Sequence, residues 1–119
     1  MNAEVWNPTQ IEERIRDVSG RIADGVTVCN TRYTKFLEAD HALDVAFAKA
    51  YMAHSGPAHE KKYAAELATQ DERAKRDLAD ASYRFADRNA KALESELRAL
   101  QSVGASIRSM YSVAGRGES

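Results

Sequence analysis

This chain of 119 residues has one cysteine, two prolines and few aromatic side chains, and each scarcity removes a class of protein. A lone Cys29 excludes an internal disulfide framework and fits a reducing compartment, where it serves as a small packing residue. With prolines only at positions 8 and 57, helices can run far without interruption, and strand-like alternation is nowhere sustained. No apolar run reaches the ~20 residues of a membrane span. Residues 1–7 lack the basic and apolar segments of a signal peptide. The protein is therefore expected in the cytoplasm of the cell that makes it. Neither charge sign dominates: 17 basic and 18 acidic side chains leave a formal charge of -1, so no molecule-wide field draws the chain to nucleic acid or an anionic membrane. Phosphate loop, nucleophile elbow, zinc-protease helix and paired-cysteine motif are all missing. No enzymatic activity and no cofactor are expected.

What is there is alanine, leucine and charge in helical order. The size suits one domain with a real core. The expected fold is all-α: an antiparallel helical bundle over residues 8–112, after a flexible N-terminus (1–7) and before a disordered tail (113–119). Asn7-Pro8-Thr9-Gln10 announces the first helix, with Asn7 as cap, Pro8 at the first helical position and Gln10 reaching back. Trp6 is placed to fold back as a staple onto Ile11. Ile11, Ile15, Val18, Ile22 and Val26 then trace one face, and Cys29, Tyr33, Phe36 and Leu37 continue it. Gly20, Gly25 and the β-branched run Val26-Thr27-Val28 weaken the helix and predict a join between Gly25 and Thr31.

His54-Ser55-Gly56-Pro57 predicts a hairpin turn, with Gly56 as a left-handed cap. On the return, Tyr63 and Leu67 form a short apolar face, and Thr69-Gln70-Asp71-Glu72 has the spacing of a capping box and so of a second break. Both breaks together give four helices; neither gives two long helices in a hairpin, each arm roughly 70 Å long. Compactness favours four. Ala74, Leu78, Ala81, Phe85, Asn89 and Ala92 are read as the next packing face. The cleanest pattern closes the chain: Leu93, Leu97, Leu100, Gly104, Ile107 and Tyr111, spaced alternately by four and three, draw a narrow seam for packing against another helix.

Three features bear on function. Glu38-Ala39-Asp40-His41 has the Glu-x-x-His spacing of bundle metal sites, but no second pair accompanies it, and His54 and His59 read as exposed polar residues, so no metal is expected. Arg84, Arg88, Lys91 and Arg98 place a basic stripe on the last helix, with Ser95 and Ser102 among them. Such a stripe is either a solvated face balanced by neighbouring acids or a track for a phosphate backbone. Tyr83 beside Arg84 is a candidate contact for a partner protein. Self-assembly through the Leu93–Tyr111 seam is a further reading, so the chain is expected as a monomer or small homo-oligomer.

The segment Leu97-Arg98-Ala99-Leu100-Gln101-Ser102-Val103-Gly104-Ala105-Ser106-Ile107-Arg108, preceded by an alanine-rich charged helix and by Tyr51 at the end of the earlier arm, resembles a family of small helical-bundle proteins encoded by actinobacteriophages, mycobacteriophages among them. The resemblance implies a non-enzymatic accessory role in the infected or lysogenic host cell, through contacts with a phage or host protein. It brings no catalytic residues with it.

Overall fold

A computed structural model describes residues 7–117, which form three helices: α1 (Pro8–Ala53), α2 (Ala58–Ala68) and α3 (Gln70–Gly117). Among these residues no strand occurs. Trp6 lies outside them, as do residues 118 and 119. Helix continues to Gly117, past position 112 where the bundle is expected to end.

α1 starts as its sequence dictates. The backbone amide of Asn7 donates to Gln10 Oε1 at 3.0 Å, and the amide of Gln10 donates to Asn7 Oδ1 at 2.9 Å. This reciprocal cap satisfies two of the amides that a helix start leaves open. The helix then runs 46 residues unbroken. The join expected between Gly25 and Thr31 is absent, so three helices stand where four are expected. β-Branched residues and glycine each lower helix propensity by about 1 kcal/mol or less. None of them removes a backbone hydrogen bond as proline does. The packing face also keeps its period through the stretch, with Ile22, Gly25 and Cys29 half-buried in succession.

The turn falls at residues 54–57, as expected, but by another mechanism. No described glycine has a positive φ, so Gly56 is not a left-handed cap. A Cβ there would meet His54 Nε2 and lie 2.6 Å from Glu60 Oε2, the far ends of two rotatable side chains that would have to part to admit it. Those two groups meet at 3.3 Å across the glycine. Pro57 sits just ahead of α2, and its carbonyl accepts from the amide of Glu60 at 3.0 Å. Lys61 rests over the Tyr51 ring, 5.8 Å from its centroid.

The second expected break is real and only one residue wide. Thr69 is buried, and its hydroxyl donates backwards to the Ala65 carbonyl at 2.7 Å rather than capping Glu72. The carbonyls at the end of α2 lack helical partners, and this hydroxyl satisfies one of them where water has no access.

Packing divides the chain into two compact units, one of residues up to Val26 with Arg88 onward, the other Thr27–Asp87. In the first, Ile11, Val18, Gly104 and Ile107 are buried, with Ile15, Ile22, Leu93, Leu97 and Leu100 half-buried around them. A Cβ on Gly104 would lie 3.0 Å from Ile11 Cγ2 and 4.0 Å from Ile15 Cδ1, so the missing side chain lets α1 approach α3 closely. Arg14 closes one flank, donating from Nε to Glu96 Oε1 at 3.1 Å. Residue 11 lies by 104 and residue 14 by 96, so the two segments run antiparallel. The Leu93 seam therefore packs within the chain, except Tyr111, which is exposed.

In the second unit the segments are again antiparallel: Arg32 Nη1 donates to the Ser82 carbonyl at 3.0 Å, and Arg76 Nη1 donates to Asp40 Oδ1 at 3.4 Å. Leu43, Ala65, Ala86 and Thr69 are buried. Along residues 26–92 the expected faces are out of phase. Ala74, Leu78, Ala81, Phe85, Asn89 and Ala92 are all exposed, as are Val26, Leu37, Tyr63 and Leu67. The inward positions are instead those reached by stepping the seam back from Leu93 by threes and fours: Ala90, Ala86, Tyr83, Ala79, Arg76 and Glu72, each buried or half-buried. Apart from the Tyr83 ring, these positions of α3 carry small residues and the apolar stems of charged ones, while Leu78 and Phe85 point outward.

Candidate functional site

The inversion of phase defines the surface of the Thr27–Asp87 unit. Leu78 is 73% exposed and Phe85 67%. They stand seven residues apart on α3, hence on one face. Beside Leu78 opens a groove of about 260 Å³ lined by Arg32, Lys35, Lys75, Leu78, Ala79 and Ser82. α1 supplies Arg32 and Lys35, α3 the rest. Arg32 occupies an inward position, three after Cys29, and its hydrogen bond to the Ser82 carbonyl fixes the guanidinium across the groove. Every charged residue in the lining is basic. With no carboxylate, imidazole or thiol among the lining residues, what the groove offers is cationic attraction above an apolar wall.

A second cleft, of about 540 Å³, is lined by Tyr63, Glu66, Leu67, Gln70 and Arg73 at the α2–α3 break. It mixes both charge signs.

The residues singled out in sequence fall elsewhere. Arg84, Arg88, Lys91 and Arg98 are all exposed. Arg84 Nε is bound to Asp80 Oδ1 at 3.0 Å one turn back, and Arg98 Nη2 donates to Ser95 Oγ at 3.2 Å. Tyr83 is half-buried and packs on Tyr33, with ring centroids 5.1 Å apart and planes at 50°. The exposed aromatic at this point of α3 is its neighbour but one, Phe85. Glu38 and His41 are both exposed, and no three His, Cys, Asp or Glu side chains gather to hold a metal among the described residues.

The groove brings together three basic residues from two helices that the sequence reading passed over. One signal was available. Arg32 sits in phase with Ile22, Gly25 and Cys29 on the packing face, an odd place for a guanidinium unless a partner meets it across the seam.

Comparison with protein-family models, with curated proteins and with solved structures finds no match. The groove must therefore be interpreted from its own chemistry. Among the described residues no helix is long and apolar enough to cross a membrane.

Proposed function

We propose that the chain is a non-enzymatic phage accessory protein that acts in the host cytoplasm as a helical protein–protein interaction module, in prophage maintenance, defence or recombination. Its helices pair antiparallel, as in a hairpin. The observation that carries this reading is the outward placement of Leu78 and Phe85 on a regular helical scaffold. Exposed apolar side chains of this size, repeated along one helix face beside a groove, are what a docking surface uses to anchor a partner.

The test is affinity capture from host lysate with the purified chain at saturating bait, beside the variant Leu78→Asp/Phe85→Asp. Both positions face solvent, so the variant keeps its helical circular dichroism. Recovery of a defined protein by the natural chain and its loss with the variant support the module. Equal recovery by both, or none above background, ends it.

The nucleic-acid reading keeps one supporting observation, the exposure of Arg84, Arg88, Lys91 and Arg98. Against it, Arg84 is already neutralised by Asp80. Absence of any low-salt gel shift disposes of this reading.

A further inference from the structure

We infer that the groove of the Thr27–Asp87 unit receives an acidic amphipathic helix of a partner protein, its apolar side chains against Leu78 and Phe85 and its carboxylates on Lys35 and Lys75. This rests on the interaction-module reading and names the chemistry of the partner.

Charge complementarity is the first argument. Lys35 and Lys75 enter none of the ion pairs of the described residues, although carboxylates are near in sequence: Glu38 follows Lys35 by three residues and Asp71 precedes Lys75 by four, all four residues being exposed. Arg76 is engaged with Asp40 and Asp77, Arg84 with Asp80 and Lys61 with the Tyr51 ring; what sets Lys35 and Lys75 apart from the unit's remaining cations is that they line one groove with Arg32 and with no acidic residue. Three cationic side chains around one groove, on a chain whose formal charge is -1, make a local site for anions that the molecule as a whole is not.

Shape supplies the second argument. Arg32 and Lys35, three apart, form the α1 bank; Lys75, Leu78 and Ser82, spaced by three and four, form the α3 bank, and Phe85 continues that face of α3 beyond the groove. Each bank is one helix face. Leu78 and Phe85 lie two turns apart, roughly 10 Å along the axis, which matches anchors seven residues apart on a docked helix. Because the lysines stand on opposite banks, the ligand must carry carboxylates on both flanks of its apolar stripe. A phosphate backbone would answer the charges and leave Leu78 uncovered.

The experiment uses the full chain and two synthetic helical peptides, each with leucines seven residues apart. One has glutamate on both flanks of the leucine stripe, the other lysine. Binding is followed by calorimetry and by NMR of the labelled protein. The expected result is saturable, salt-sensitive binding of the glutamate peptide alone, shifting signals of Arg32, Lys35, Lys75 and Leu78. Lys35→Glu/Lys75→Glu should weaken it by about tenfold or more and gain affinity for the lysine peptide. No binding, equal binding of both peptides, or shifts away from the groove overturn the inference. So does a duplex oligonucleotide that shifts the groove signals when the glutamate peptide does not. Self-association that sedimentation shows to be abolished by Lys35→Glu/Lys75→Glu would make a second copy the occupant and overturn it equally. If lysate capture is lost with Leu78→Asp/Phe85→Asp but untouched by Lys35→Glu/Lys75→Glu, the module stands and the acidic helix falls.

Discussion

Two glycines of the first unit provide a matched pair of perturbations. Gly20 lies mid-helix in α1, and a Cβ there meets nothing within 4 Å. Gly20→Ala therefore gains helix propensity, about 0.8–1 kcal/mol, with no steric cost. In urea, where m for a small protein is roughly 1–3 kcal/mol/M, the midpoint should rise by about 0.3–1 M. Gly104 is helical too, so the same propensity gain is offered, but its Cβ would arrive 3.0 Å from Ile11 Cγ2, and Ile11 is itself 1% exposed and hemmed in. Relieving that crowding requires α1 to retreat from α3 or Ile11 to leave its rotamer, at about 1–3 kcal/mol. The net for Gly104→Ala is then between no change and a loss of about 2 kcal/mol. Both residues belong to the same compact unit, so urea titrations followed by circular dichroism at 222 nm compare them on one transition. If Gly104→Ala stabilises as much as Gly20→Ala, the close approach of α1 at Gly104 does not exist in solution, and the account of that seam is wrong.

Two further outcomes follow from the packing. Thr69→Val keeps the shape of a buried side chain but removes the hydroxyl that serves the Ala65 carbonyl at 2.7 Å; a loss of about 1–2 kcal/mol in urea unfolding is expected, and an unchanged midpoint would mean that the carbonyl has another partner. Arg14 and Glu96 pair with their side chains 37% exposed, so a double-mutant cycle to alanine should give a coupling below about 1 kcal/mol that shrinks in salt; a larger, salt-insensitive value would contradict the exposure.

Helix type, helix start and turn position were legible because local chemistry decides them: Asn7 and Gln10 need only each other, and Pro57 cannot extend α1. The C-terminal seam was legible because its leucines coincide with the packing face. Earlier in α3 the large residues and the packing positions part company. Leu78 and Phe85 recur at a helical period, and hydrophobicity alone assigned them inward, whereas the inward places belong to Ala79, Tyr83, Ala86 and Arg76. Size and polarity mislead wherever the buried surface is made of alanine and of charged stems. The groove was illegible for the same reason, since Lys35 and Lys75 are 40 positions apart and only the antiparallel pairing brings them to one place.

Arg76 on the inner face has a consequence for alignment. Two helices whose contacts recur every seven residues can slide by one repeat and still match apolar to apolar. After such a slip Arg32 would meet the carbonyl of another residue, since each residue presents one, but Arg76 would lose Asp40. The Arg76–Asp40 contact therefore favours one registration of α1 against α3 within the Thr27–Asp87 unit out of several that the repeat alone would permit.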